Sequence, residues 1–518
     1  MSVQGKMTEP APSVETDPLK AGDPSISVLV AKPGLLGRLR RLITVEPVIF
    51  TVTFVYMTVF ASVRVEYLTQ AVGESLNYTT QPSPFENHSS GCAVNKSDPE
   101  YILGHQVQAI SSYWSLGFDV TSSVLMVFSS LFLGSRSERG WGRKLTLLIP
   151  VVGIMLSIAI TLVVIMFSLP IPYFFISEVL RGLSGSLFAI FSISFAYISD
   201  VTTKEHLTMR LIIAETSAYV AGCVSQIGVG HWIKVAGFLP PLWMSLGVTA
   251  CTALYITFWL EETRVLQKTR ISLRDQFNDV ILMFSNKPRG YSSRLTVLSV
   301  VFFFSALTMS SSVITILYVM APPYCFGPEY IGYYQAIAFL ANGIGLLVGG
   351  RLLACCLGDI GIAQVSFLSG IGYYATIALA QNAIMILCAP FIGCLASLSY
   401  PVLRGRMSKL VHPTEQGVMF SFVGGIQGVA QSISPLVYNN IYSSTVEFMP
   451  NAVYLVFAFT ILIAVSLVSA LQVKDCIGGK LQPLDPLTMN DKCSSAPING
   501  TPSVTKDYGT IATKNEIG

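Results

Sequence analysis

Residues 145–169 read LTLLIPVVGIMLSIAITLVVIMFSL and contain no charged side chain. A transmembrane helix needs about 20 consecutive residues that are mostly apolar, so this stretch is long enough to cross the hydrocarbon core of a bilayer. Arg143 and Lys144 come directly before it, and Pro170 comes directly after it. We therefore predict a membrane-spanning helix here, and the rest of the chain decides how many others accompany it.

Further stretches of the same character occur along the whole chain. Together with the first they predict twelve spans, at residues 47–67, 112–133, 145–169, 172–199, 211–233, 239–260, 295–320, 330–354, 362–380, 383–403, 417–438 and 452–473. Each is largely apolar around the whole helix, whereas a surface helix of a soluble protein has a polar face. The pattern predicts an all-α membrane protein with twelve transmembrane helices.

The composition of the whole chain supports the same class of protein. Of the 518 residues, 52% are hydrophobic and only 12% are charged, and the mean hydropathy is +0.60. Soluble proteins contain about 25% charged residues. The net charge of +3 is too small to suggest nucleic acid as a partner, and ten cysteines are too few for a disulfide-rich scaffold. Residues 1–30 are polar and lack the apolar segment of a cleaved signal peptide.

The sequence contains no pattern that indicates an enzyme. It contains no Ser-His-Asp, metal-binding or phosphate-binding pattern and no nucleotide-binding domain. The glycine-rich stretch 343–350 lies within an apolar span, where small residues allow helices to pack closely. We therefore expect neither an enzyme nor a bound cofactor or metal, and an ATP-driven pump is excluded.

The distribution of Lys and Arg predicts the orientation in the membrane. One set of alternating loops contains nearly all of the loop Lys and Arg residues, and the opposite set contains only Lys96 and Lys234. Cytoplasmic loops are enriched in these residues, so both termini are predicted to be cytoplasmic. The first outer loop then contains three glycosylation sequons, at Asn77, Asn87 and Asn95. A further match in the C-terminal tail is predicted to stay unmodified.

The longer polar segments divide the chain into five parts. Residues 261–294 form a basic cytoplasmic loop between two predicted six-helix bundles, at residues 45–260 and 295–473. The tails, 1–44 and 474–518, are rich in Pro, Ser, Thr and charge and are predicted to be disordered. Two six-helix bundles are typical of secondary transporters with a substrate site near the middle of the bilayer.

The loop after the second span contains the string Gly134-Ser-Arg-Ser-Glu-Arg-Gly-Trp-Gly-Arg-Lys144. It resembles the loop signature of the major facilitator superfamily, in which charged residues control the cytoplasmic side of the bundle. The resemblance implies a role in conformational gating for four residues, namely Glu138, Arg139, Arg143 and Lys144. Glu138 replaces the usual Asp, and one residue is inserted before the last glycine. The alternative is an ordinary basic turn at the membrane surface.

Further strings narrow the resemblance to one family. They are Val45-Glu-Pro-Val-Ile-Phe, Tyr197-Ile-Ser-Asp-Val-Thr, Arg210-Leu-Ile-Ile-Ala-Glu, Gly230-His-Trp, Leu317-Tyr, Pro323-Tyr-Cys, Pro401-Val-Leu-Arg, Ser408-Lys-Leu-Val and Thr414-Glu-Gln-Gly. Together they are similar to the proton-coupled folate transporter family, which also includes a lysosomal steroid-conjugate transporter. The similarity covers about residues 45–473. It implies proton symport of an organic anion such as a folate or a steroid or bile-acid conjugate.

The resemblance also implies roles for two charged residues within spans. Glu215 matches the acidic residue of the fifth helix that couples proton flux to substrate; the alternative is a structural ion pair with Arg210 or another basic residue. Arg404 matches the tenth-helix arginine that is linked to substrate binding, and its guanidinium suits a carboxylate; the alternative is an ordinary basic residue at the cytoplasmic end of the span. The histidines of the folate transporter are missing from residues 302–311 and 270–280, which weakens folate as the substrate.

Other ionisable residues within spans are functional candidates because burying a charge in a membrane is costly. Asp119 is a candidate for proton coupling or substrate contact, with a hydrogen-bonded structural carboxyl as the alternative. Glu178 and Arg181 share a helix face at i,i+3 spacing, which predicts a structural ion pair. Arg64 and Glu66 are predicted to lie at the outer membrane surface.

The resembling family also suggests a disulfide. Its members join the first outer loop to the loop after the seventh helix, where this sequence has Cys92 and Cys325. Both loops are predicted to face the oxidising side of the membrane. We therefore predict a Cys92–Cys325 disulfide, with two free thiols as the alternative.

The sequence as a whole predicts a proton-coupled secondary transporter of an organic anion that works by alternating access. Its partners are then the anionic small molecule, protons and the lipid bilayer. A transport-inactive receptor or interaction protein on the same scaffold is the alternative. We predict the plasma membrane as its location and keep endosomal or lysosomal membranes open, because Tyr508 begins a match to an endocytic sorting signal.

Overall fold

A computed structural model describes residues 44–77, 99–263, 273–285, 289–308, 311–320, 324, 326, 328–412, 415–445 and 448–477. Nearly all of these residues are helical, and none of the described residues is in a β-strand. The sequence favours helices because a chain in lipid can satisfy its backbone N–H and C=O groups only within its own helix or in a closed barrel.

Twelve helical units follow one another along the described part of the chain. They are α1 (Glu46–Ser75), α2 (Pro99–Arg139), α3 (Gly142–Met166), α4 (Ile171–Val201), α5 (Leu207–Ala236), α6 (Leu239–Phe258), α7 (Arg289–Leu307 and Ser311–Met320), α8 (Tyr330–Cys356), α9 (Asp359–Ala378), α10 (Ala383–Lys409), α11 (Gln416–Thr445) and α12 (Ala452–Ile477). A separate helix, Leu273–Ser285, lies in the predicted central loop.

Every predicted span coincides with one of these units, so the prediction of a twelve-helix membrane protein is confirmed. Among the described residues, ten helices are long and apolar enough to cross a membrane, and Tyr291–Leu307 is a shorter apolar helix. The ends differ from the prediction at three places that matter below. Helix α2 extends outward to Pro99, α5 begins at Leu207, and α10 continues to Lys409.

Local chemistry explains several helix ends and irregularities. The Asn382 side chain accepts a 3.0 Å hydrogen bond from the backbone N–H of Met385 and so caps the start of α10. Gly237 ends α5 with φ +77°, a conformation that costs glycine little. Helix α1 contains a π-helical segment, Met57–Val63, and such segments are frequent at functional sites.

The helices of the first half pack closely against those of the second half. The most extensive contact joins α2 to α11, and α5 packs along α8. A Cβ on Gly134 of α2 would lie 1.4 Å from the Ser421 hydroxyl oxygen of α11, so only glycine permits this approach. Six helical units end before residue 261, and the seventh begins at Arg289, within the predicted central loop. The predicted bundle boundaries stay a prediction.

Candidate functional site

Glu215 and Arg404, which the sequence singled out separately, form an ion pair between Oε1 and Nη1. Because α5 begins at Leu207, Glu215 lies about two turns inside the helix. Arg404 lies more than one turn inside α10, whose last residue is Lys409. Both side chains are buried. The pair therefore links a helix of the first half to a helix of the second half within the protein interior.

Three further groups hold the Arg404 guanidinium in place. Its Nη2 donates a 2.7 Å hydrogen bond to Oε1 of Gln427 on α11. Its central carbon lies 4.8 Å from the ring centre of Phe195 and 5.2 Å from that of Phe302. Cation–π contacts at buried sites contribute up to about 2 kcal/mol each. The guanidinium thus has supports that do not depend on the charge of Glu215.

The positions of Arg404 and Glu215 decide between the alternatives that the sequence left open for Arg404, and they identify the ion-pair partner of Glu215. Arg404 is buried, so its interpretation as an ordinary basic residue at the cytoplasmic end is wrong; the error arose because α10 continues past the predicted end of the span. Glu215 has the ion-pair partner that the structural interpretation requires, and that partner is Arg404. Arg210 contacts Glu46 at 3.3 Å and donates hydrogen bonds to Thr44 and Thr202.

A second group of charges lies entirely in the first half of the chain. Arg64 donates hydrogen bonds to Glu178 Oε1 at 2.6 Å and to Asp119 Oδ1 at 2.9 Å. Arg181 pairs with Glu178, and its Nη2 lies 4.0 Å from Asp119 Oδ1. We call these four residues the paired-arginine cluster. The predicted Glu178–Arg181 ion pair is confirmed.

Arg64 was predicted to lie at the outer membrane surface, and that prediction is wrong. Only 3% of the residue is exposed, because α2 and α4 surround it and supply its two carboxylates. Glu66, two residues further on, is exposed. Both residues lie near the end of an apolar stretch, which suggested a surface position for each. They differ because the Arg64 side chain points into the protein and the Glu66 side chain points outward.

The charged loop between α2 and α3 forms a network with two carboxylates that the sequence analysis did not select. Arg143 Nε donates to Asp200 Oδ2 at 2.9 Å, and its Nη1 donates to the Ser137 hydroxyl at 2.6 Å. Glu262 accepts hydrogen bonds from the backbone N–H groups of Arg143 and Lys144 at 2.7 and 3.0 Å. The side chains of Glu138 and Arg139, also predicted here, lie outside the described residues.

Glu262 stabilises the start of α3, where a helix presents unpaired N–H groups and a partial positive charge. Gly142 makes this arrangement possible. Its φ is +75°, and a Cβ at this position would lie 2.4 Å from Glu262 Oε2. An acidic residue shortly after an apolar span is a common feature, so the sequence offered no distinctive signal for Glu262.

The outer loops are only partly described. Asn77, the first predicted glycosylation site, is exposed at the end of α1. Asn87, Asn95 and both cysteines of the predicted disulfide, Cys92 and Cys325, lie outside the described residues. Glycosylation and the disulfide therefore stay predictions.

Known proteins that are similar to this chain over most of its length are transporters. The rat (Rattus norvegicus) proton-coupled folate transporter is 27% identical over 431 residues, which cover 83% of this chain and 92% of the relative. The chicken (Gallus gallus) lysosomal proton-coupled steroid conjugate and bile acid symporter is 28% identical, covering 82% of this chain and 93% of the relative. The predicted resemblance to the folate transporter family is confirmed.

Solved structures of low sequence identity share the fold. The human organic anion transporter MFSD10 has a TM-score of 0.64 at 16% identity and covers 83% of this chain and 99% of its own. The proton:xylose symporter XylE has a TM-score of 0.58 at 11% identity and covers 83% and 94%. The family model described as Major Facilitator Superfamily matches residues 48–435. Because this match covers most of the chain, and the described residues form twelve successive helical units, the chain belongs to the Major Facilitator Superfamily.

Proposed function

We propose that the protein is a proton-coupled secondary transporter of an organic anion that works by alternating access. The observation that carries this proposal is the buried Glu215–Arg404 ion pair between α5 and α10. The names of the relatives, a proton-coupled folate transporter and a proton-coupled steroid conjugate and bile acid symporter, support the same function.

The ion pair suggests how proton and anion binding are coupled. A buried charge is costly unless it is paired, so neutralising Glu215 with a proton leaves Arg404 as an uncompensated cation. An anionic group of the substrate then restores the balance by taking the place of the carboxylate. The proton and the anion thus favour each other's binding, and by linkage this coupling is reciprocal.

The contacts that hold Arg404 in place allow its guanidinium to bind an anionic group of a substrate. Gln427 and the rings of Phe195 and Phe302 hold the guanidinium when Glu215 is neutral. Its planar array of N–H groups can bind a carboxylate or sulfate through two parallel hydrogen bonds. On the side of higher pH, Glu215 loses its proton and competes for Arg404 again, which releases the anion.

The same pair couples binding to the movement of the two halves. Because it joins α5 to α10, its opening removes a contact between the two halves, which must move against each other in alternating access. The network of Arg143 lies within the first half, where it connects α2, α3 and α4. We propose that its gating role is to keep the cytoplasmic ends of these helices together as one body during that movement.

The sequence and the names of the relatives favour some anions over others. Folate is the less favoured candidate because residues 302–311 and 270–280 lack the histidines of the folate transporter. Steroid sulfates and bile-acid conjugates combine an anionic group for Arg404 with a large apolar body. We propose this class as the substrate.

Uptake of labelled folate, taurocholate and estrone 3-sulfate by expressing cells at pH 5.5 and pH 7.4 tests the proposal. We expect greater uptake of at least one conjugate at pH 5.5, in excess of cells that lack the protein. Equal and background uptake of every anion at both pH values would contradict transport and would favour a receptor on the same scaffold.

A further inference from the structure

The paired-arginine cluster contains two cations and two carboxylates in very different surroundings. Arg64 and Arg181 are 3% and 2% exposed, and Glu178 is 1% exposed. The Asp119 side chain, in contrast, is 57% exposed. Glu178 therefore belongs to the fixed interior of the first half, whereas Asp119 covers the two guanidiniums from an accessible side.

Few other ionisable groups face Asp119. Helix α1 contributes Arg64, and α4 contributes Arg181 and Glu178. Helix α11, which packs most extensively against α2, contains no Asp, Glu, Lys, Arg or His. The Lys and Arg residues of α3 are confined to its cytoplasmic end. The charge balance at Asp119 is therefore set by the cluster itself.

The accessible side of Asp119 is expected to border water rather than lipid. An ionised carboxylate in contact with hydrocarbon is costly, and charged residues of spans accordingly face a bundle interior or a water-filled cavity. Helix α2 lies where the two halves meet, because it packs on both α4 and α11. A dissolved anion that enters between the halves can thus reach the guanidiniums by displacing Asp119.

The guanidiniums have the features of a binding site. Arg64 Nε is buried and has no hydrogen-bond partner among the described residues. Arg181 donates to the hydroxyl groups of Tyr56 and Ser122 at 3.0 and 2.7 Å, which fix its plane. The π-helical segment of α1 separates Tyr56 from Arg64, and this irregular turn sets the positions of both.

We propose that Arg64 and Arg181 form a second oxyanion-binding subsite, which the carboxylate of Asp119 occupies until the carboxylate or sulfate group of a substrate displaces it. This inference rests on the proposed function for the identity of the substrate, but its residues are separate from Glu215 and Arg404. It assigns Asp119 the role of a built-in, replaceable anion.

The carboxylate of Asp119 competes with any anion that approaches this subsite. A bound oxyanion beside that carboxylate would place two negative charges together, and like charges repel. An anion can therefore bind Arg64 and Arg181 only when the Asp119 side chain moves away from them. Replacing Asp119 with Asn removes the competing charge permanently.

Thermal unfolding of the purified full-length protein in sodium sulfate and in sodium chloride at equal ionic strength tests the subsite. We expect Asp119→Asn to gain about 2–4 °C more in sulfate than in chloride, because a ligand that binds only the folded state stabilises it. The wild type, in which the carboxylate of Asp119 competes with sulfate, should gain less.

Asp359→Asn is the matched control, because Asp359 pairs with Lys409 at 2.7 Å away from the cluster. It should respond to sulfate as the wild type does. A gain in Asp119→Asn no larger than in Asp359→Asn would overturn the proposal. If Asp119→Asn does not fold, Asp119→Ser replaces it, and a sulfate gain no larger than that of Asp359→Asn would again overturn the proposal.

A further arm identifies the source of the oxyanion. Estrone 3-sulfate is compared with neutral estrone and with inorganic sulfate. Stabilisation of Asp119→Asn by estrone 3-sulfate at concentrations where the other two have no effect would support a substrate subsite. Equal effects of organic and inorganic sulfate would contradict a substrate role. Because unfolding does not require transport, the outcome is independent of the uptake experiment.

Discussion

At the scale of single residues, the identity of Arg404 matters as much as its charge. Its guanidinium donates to Gln427 and lies against two aromatic rings while it pairs with Glu215. A lysine keeps the charge but lacks the planar array of donors. We expect Arg404→Lys to lose at least one charged hydrogen bond to the substrate. This loss corresponds to about 1.5–3 kcal/mol of binding free energy, which raises the KM for uptake roughly ten- to hundredfold.

The control for this prediction is Arg351→Lys, since Arg351 is exposed at the end of α8. It should leave uptake and surface abundance unchanged. A KM for Arg404→Lys equal to that of the wild type, at equal surface abundance, would show that the guanidinium does not hold the substrate.

The sequence predicted the two residues of the site but not their contact. Glu215 and Arg404 could be found because charged residues in or beside apolar spans are few. Their pairing depends on how α5 and α10 meet, which no local pattern encodes. Arg64 was wrongly predicted to lie at the membrane surface because it is close to the end of the apolar stretch. Its side chain points into the protein and is buried.

At the scale of the elements, the turn between α2 and α3 depends on one glycine. Gly142 has φ +75°, and a Cβ there would meet Glu262 at 2.4 Å. We expect Gly142→Ala to lower the free energy of unfolding by about 1–3 kcal/mol, through backbone strain and displacement of the carboxylate that caps α3. Thermal unfolding of the purified protein measures the change.

Gly247→Ala is the appropriate comparison for that variant. Gly247 lies within α6, and a Cβ there would meet no atom within 4 Å. Alanine favours a helix more than glycine does, so this variant should be as stable as the wild type or more stable. Equal stability of the two variants would refute the strain at Gly142.

The elements themselves could be predicted because the apolar stretches are long and contain few charged residues. Their ends were less certain, since a helix continues beyond the bilayer wherever protein contacts support it. The continuation of α10 to Lys409 and the early start of α5 placed Arg404 and Glu215 deeper than their sequence positions suggested.

At the scale of the whole molecule, the predicted Cys92–Cys325 disulfide would join the outer loops of the two halves. It should stabilise the protein more than it affects transport, because the halves must still rock. Labelling of intact cells with a membrane-impermeant maleimide, before and after reduction, measures it. We expect both cysteines to react only after reduction, and reaction of both without reduction would exclude the bond.

The transport account as a whole depends on protonation of Glu215. Glutamine resembles the neutral acid in size and hydrogen bonding, so Glu215→Gln should keep the fold and surface abundance. Asp359→Asn is again the control, since it removes a carboxylate that pairs with another base on α10.

The decisive measurement is therefore the accumulation of a transported anion at pH 5.5 and pH 7.4 by the wild type, Glu215→Gln and Asp359→Asn at equal surface abundance. We predict that the wild type and Asp359→Asn accumulate more anion at pH 5.5, and that Glu215→Gln takes up the anion equally at both pH values. Accumulation driven by pH in Glu215→Gln, at the level of the wild type, would contradict the coupling of protons to substrate through the Glu215–Arg404 pair.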